Sequence, residues 1–160
     1  MIGYLYVEGI KGEVQEAEHP GWMKLLSVEQ SIHRPMDPGL SEPSRHRSQV
    51  FFEEISVVKE VDLSTPRLAD AVADGTNFST VSIHLVTSSS AGKHIPYLIW
   101  DLHNARVTSY NIKALEQASR PVEQISFSFA AIRQTYIQLG NDDRQIDKSE
   151  YNWQVQEGVP

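Results

Sequence analysis

No cysteine occurs anywhere in the 160 residues of this chain. That absence excludes a disulfide framework and any thiolate chemistry. Basic residues are few: 14 lysines and arginines face 21 acids, a formal net charge of −7. Nonspecific nucleic-acid binding is disfavoured accordingly, because neutralising phosphates requires a basic surface. No apolar run approaches the ~18 residues that a membrane span needs. The opening Met1-Ile2-Gly3-Tyr4-Leu5-Tyr6 lacks a basic lead-in and a small-residue cleavage site. It reads as a strand, so export without a cleaved leader is the expectation.

Chemical motifs are equally scarce. The six histidines stand at 19, 33, 46, 84, 94 and 103. None makes an HxH, HxxxH or HExxH spacing, so no local metal site is read. His84 and His103 fall on the polar parity of their segments and read as surface or hydrogen-bonded side chains. No GxSxG elbow occurs. Ser88 to His94 has Thr87 where a phosphate loop needs glycine, and His94 where it needs serine or threonine. Glu53 and Glu54 are neighbours that a strand would point to opposite faces, which prevents paired acid–base work. No catalytic residue, cofactor or metal is assigned, and the weight moves to a structural or binding role.

What the sequence does have is period-two alternation. Val81-Ser82-Ile83-His84-Leu85, Leu98 to His103 and Ile125-Ser126-Phe127-Ser128-Phe129 each alternate apolar and polar residues, as half-buried strands do. After Phe129 the parity inverts, with Ile132 and Tyr136 on the other face, which predicts a bulge or a corner near Ala130-Ala131. Residues 2–10, 22–32 and 50–61 complete the strand set. Ser64 to Gly75 is punctuated as a short helix. Ser64 or Thr65 stands at the N-cap, Pro66 in the first turn, Leu68, Ala71 and Val72 on one face, and Gly75 at the C-cap. The expected fold class is mainly β, an antiparallel β-barrel or two-sheet sandwich with one short α-helix. It forms one domain over residues 1–138. Residues 139–160 are read as a polar acidic C-terminal tail, a frayed terminus unless its alternating Tyr151, Trp153 and Val155 dock as a strand on a neighbour.

Several segments together resemble the Hcp (hemolysin-coregulated protein) family, the tube component of type VI secretion. They are Tyr4 to Glu13 with its Gly9-Ile10-Lys11-Gly12-Glu13 turn, His19 to Leu26 with Trp22, and Ile55 to Leu68. The last looks like the family's strand ending in lysine, followed by aspartate and by the serine–proline–leucine that opens the helix. Phe78 to Val86, Tyr97 to Tyr110 and Val122 to Gln138 follow in matching order. The resemblance implies a homo-hexameric ring and stacked rings forming a hollow tube. A contracting sheath would expel that tube behind a membrane-puncturing tip, with effector proteins in the lumen. It further implies a bacterial cytoplasmic subunit that ends up secreted, binds no nucleic acid and does not insert into a membrane.

Carried onto this sequence, the candidate contact residues are Gly9, Lys11, Gly12, Glu13, Lys59, Asp62, Ser64, Pro66 and Leu68. For Lys59 and Asp62 the plainer role is a local ion pair beside the helix N-terminus. The polar excursion 34–49, with Arg34, Asp37, Glu42, Arg45 and Arg47, is the candidate ring-stacking loop; long loops in compact domains are functional or disordered. The alternative function is a monomeric β-sandwich module that captures a small ligand or carbohydrate, for which an exposed Trp22, Trp100 or Trp153 would be the sign.

Overall fold

The computed structural model describes residues 1–35, 39 and 49–155. Its strands in chain order are β1 (Ile2–Val7), β2 (Met23–Leu25), β3 (Ser27–Glu29), β4 (Ile32–His33), β5 (Phe51–Phe52), β6 (Ile55–Glu60), β7 (Asn77–Ser88), β8 (His94–Lys113), β9 (Val122–Leu139) and β10 (Gln145–Gln154). One helix, α1 (Thr65–Asp74), lies between β6 and β7. The principal sheet is antiparallel, in the order β2-β1-β7-β8-β9-β6-β3. Its two ends are consecutive in sequence. Only Leu26 separates them, and its N–H donates to the Val58 carbonyl of β6 at 2.7 Å. The sheet therefore curls into a nearly closed barrel, which removes most of its exposed edge.

The expected strands at 22–32 and 50–61 are each broken. β4 and β5 leave the barrel and pair with each other, Ile32 opposite Phe52 and His33 opposite Phe51. The barrel interior is filled by the inward parity of each strand, including Leu5, Val57, Ile83, Leu102, Ile125 and Phe127, all with no exposed surface. α1 lays Leu68 and Ala71 against this core. Gly75 ends the helix in the left-handed region (φ 69°), its N–H bonded to the Ala71 carbonyl, as a C-cap glycine does.

The parity inversion is a corner. Phe78 and Val81 on β7, Leu102 and Ala105 on β8, and Phe129 and Ile132 on β9 all point inward, so three adjacent strands exchange faces at one level. Register is unbroken across it on the β8–β9 pair, from His103 opposite Ala131 to Ala105 opposite Phe129. The crease is made by Asn104, whose φ is 48°. Asparagine tolerates this left-handed conformation better than other residues with a Cβ. A true bulge occurs elsewhere, between Val107 and Ser109. β9 also changes partner at this level, pairing with β6 over 122–127 and with β10 over 131–139.

The expected frayed terminus is corrected over Gln145–Gln154. β10 runs antiparallel to β9, with Tyr151, Trp153 and Val155 packed against the core. The sheet-forming parity of these three residues outweighs the polar composition around them, because every second side chain of a half-exposed strand faces solvent.

Asn104→Val should lower stability by about 1–2 kcal/mol, because a β-branched side chain opposes positive φ. Asn104→Gly should leave stability unchanged or raise it. Urea unfolding followed by far-UV circular dichroism reads both.

Candidate functional site

The family-like residues gather at one end of the barrel, around the entrance to α1. Lys59 ends the inward face of β6 with no exposed surface, and its register partner on β9 is Glu123, also buried. The ammonium contacts Glu123 Oε1 directly. It also donates to Asp62 Oδ1 at 2.7 Å and to the Glu60 carbonyl at 3.1 Å. All three of its protons are thus used. Glu123 accepts further hydrogen bonds from the Tyr110 phenol of β8 (2.7 Å) and from the Thr65 hydroxyl of α1 (3.0 Å). Burial, and then the adjacent Glu123, push the Tyr110 phenol above its ordinary range, so it remains a donor. Asp62 accepts from the Ser64 N–H (2.9 Å) and from the Ser64 hydroxyl.

This geometry corrects one expectation. Ser64 does stand at the N-cap, but its hydroxyl turns back to Asp62 and makes no capping bond to the helix. Thr65 likewise accepts from the Asp62 N–H (2.9 Å) and donates to Glu123. Side-chain hydroxyls that would cap the helix are drawn instead to the Asp62 and Glu123 carboxylates, whose hydrogen bonds are stronger. The side chains of Lys59, Ser64 and Leu68 are fully enclosed by their own chain. Their role is to fix the helix entrance.

The Gly9–Glu13 turn meets this entrance from the other side. Glu13 Oε2 accepts from the Leu63 N–H at 2.9 Å, leaving Leu63 itself exposed. Gly9 sits at φ 79°, and Gly12 is needed for space, since a Cβ there would run into the Trp22 carbonyl. Lys11 and Pro66 are exposed, as is Arg34 just past β4. The structure therefore joins Glu13 to the helix entrance and leaves Arg34 at the root of the 34–49 excursion. Asp37, Glu42, Arg45 and Arg47 lie outside the described residues.

Sequence spacing missed a second cluster, on the outer face of β1 and β7. His19 Nε2 stands 3.0 Å from His84 Nδ1, and His94 Nδ1 stands 2.6 Å from the Tyr4 hydroxyl. The signal lay in pairing, since Tyr4 and His84 are cross-strand partners of outward parity. His103 remains exposed. Among the described residues no group of three histidines, cysteines or acids is arranged to hold a metal. None of the tryptophans is exposed, with Trp100 buried and Trp22 and Trp153 partly covered. No described helix is long and apolar enough to cross a membrane.

A family model described as type VI secretion system effector, Hcp, matches residues 4–136. The chain belongs to the Hcp family. Solved structures share its fold at low identity. One titled as a type six secretion system protein is 20% identical, with a TM-score of 0.87 over 98% of this chain and 97% of that one. Hcp1 from Salmonella typhimurium is 16% identical, with a TM-score of 0.77 over 98% and 96%. A type VI secretion system effector from Yersinia pestis is 18% identical, with a TM-score of 0.71 over 94% and 99%. No curated protein sequence matches. Hcp proteins of type VI secretion thus supply the functional setting, and the overall fold is what the chain shares with these structures.

Lys59→Met should destabilise the fold by about 3–5 kcal/mol, because it leaves Glu123 and Asp62 without their buried cation. Urea unfolding at neutral pH measures that loss.

Proposed function

We propose that this Hcp-family chain is a non-catalytic tube subunit. Six copies close into a ring, and rings stack into a hollow tube. The contracting sheath drives that tube out of the bacterial cytoplasm behind the tip, with effectors in its lumen. The observation that carries this reading is the family match across residues 4–136. The barrel adds physical support. β10 is paired on one side only among the described residues, so its outer edge offers N–H and C=O groups to a neighbouring copy. A ring needs such a heterologous contact, one face meeting a different face of the next copy. The monomeric ligand-binding reading loses its distinguishing sign, because no tryptophan stands exposed beside the loops.

The 34–49 excursion is the proposed stacking contact. Its ends are gathered by the β4–β5 pair, where His33 stacks on Phe51 at 5.3 Å between ring centroids. A segment rooted in this way is held at its base whatever its remaining residues contact.

Light scattering on the purified protein should give a mass near six times 18.1 kDa, and negative-stain images should show open rings. A monomer at high concentration would sink the tube reading. Deleting residues 37–46 should preserve rings while shortening or abolishing stacks in the same images. Loss of the rings themselves would reassign that loop to contacts within the ring.

A further inference from the structure

Residues 11–22 form a flap across the outer face of β1 and β7. The flap is bonded within itself: Gly12 N–H to the Gly21 carbonyl, Gly21 N–H to Val14, Val14 N–H to Trp22 and Trp22 N–H to His19, at 2.8–3.2 Å. It meets the strands beneath through Trp22 and through His19, which is 1% exposed. The His19 ring lies against Tyr4 (4.7 Å between centroids), Trp22 (4.8 Å) and, edge-on, His84 (5.1 Å). Trp22 in turn covers His84 at 4.6 Å and Tyr6 at 5.4 Å.

Proton counting makes this attachment conditional. His19 Nδ1 is 2.8 Å from Glu16 Oε2. An ionised carboxylate only accepts, so Nδ1 carries a proton. Between His19 Nε2 and His84 Nδ1, at 3.0 Å, there is room for one proton. Either nitrogen can carry it, but not both. When both rings are imidazolium, N–H faces N–H and the contact fails. The neighbouring Tyr4–His94 bond has no such restriction, since a phenol can donate to one protonation state of His94 and accept from the other.

The groups facing His84 come from every surrounding element. The flap presents His19, Glu16 and Glu18, and β1 presents Tyr4. β8 presents Asp101 and His94, with Lys93 just before it. Asp101 is itself bound by the Ser82 hydroxyl and by the Arg133 guanidinium of β9, and Glu150 of β10 acts on that guanidinium. Burial, and then the nearby His19, hold His84 well below the ordinary histidine range, at about 4, with Asp101 opposing. At Glu16, partial burial is outweighed by the hydrogen bonds from His19 and from the Glu18 N–H, so its carboxyl lies below its usual value.

We propose that the His19–His84 contact is a proton-operated latch, holding residues 11–22 on the barrel at neutral pH and releasing them when both imidazoles become charged. The sign follows from linkage. His84 takes up its proton more readily once the flap has left it, so acid favours the open form. The closed form keeps its full advantage above the unperturbed value of ~6.5 and loses it as pH falls toward about 4. That window sets a ceiling of about 300-fold on the change in the closing equilibrium. Release uncovers the faces of Tyr4, Tyr6 and His84. It also loosens the Glu13 link to Leu63, which the same segment carries.

The test is amide hydrogen exchange on the full chain between pH 7 and pH 4, corrected for intrinsic exchange, beside an NMR titration of the histidine rings. The expected result is a fall of at least tenfold in protection at Gly12, Val14, Gly21 and Trp22, while the amides of β7, β8 and β9 keep theirs. His84→Gln, which cannot take up a proton, should abolish that pH dependence, and His94→Gln should leave it in place. The latch is overturned by unchanged flap protection across the range, by loss of barrel and flap protection together, or by a His84→Gln chain that still opens with acid. If His84→Gln does not fold, the wild-type titration decides alone. His84 must titrate below ordinary histidine, in step with the flap amides, and titration near 6.5 with a closed flap rejects the proposal.

Discussion

A lysine ammonium sealed inside a barrel must find an acceptor for each of its protons, and Lys59 recruits three elements to do so. Glu123 arrives from the facing strand, Asp62 from the turn that follows, and Glu60 from its own strand. Each carboxylate then needs further donors, which brings in Tyr110 from β8 and Thr65 and Ser64 from the start of α1. Partly satisfied buried charge is worse than an apolar core, so satisfying this one cation fixes the register of β6 on β9 and the point where the helix begins. The Gly9–Glu13 turn is then set against that start through Glu13 and Leu63.

Much of the barrel was legible because a strand writes its burial into every second residue. Val81 to Leu85, Leu98 to His103 and Ile125 to Phe129 have the inward faces their alternation predicts. The inversion after Phe129 was visible too, since a corner leaves a defect in the period. The residue that makes it was not, because Asn104 lies on a different strand and declares itself only through its φ of 48°. The helix limits followed from Pro66 and Gly75, which act locally. The fate of the Ser64 and Thr65 hydroxyls did not, because the competitor for them is Glu123, 58 residues from Thr65.

The same distinction between local and distant signals governs the two clusters. Lys59 and Asp62 are three residues apart, so their pairing could be read from spacing. His19 and His84 are 65 residues apart, and only the β1–β7 register brings them together. Among the described residues, buried side-chain polar groups are hydrogen-bonded almost throughout. Among those residues the Trp153 indole N–H is the buried side-chain donor that finds no acceptor, and its ring is held by packing, stacked on Phe52.

The exchange of partners along β9 gives the molecule a direction of strength. Its ladder with β8 runs from Leu98 opposite Tyr136 to Lys113 opposite Val122, with one bulge. Because antiparallel hydrogen bonds lie across the strands, a thrust along the strand axes loads many of them together in shear. β10 stands outside the circuit that closes the barrel, and among the described residues its backbone ladder is with β9. A pull on its far end would therefore peel its bonds one pair after another, and the barrel could keep its shape under axial force while that outer strand unzips.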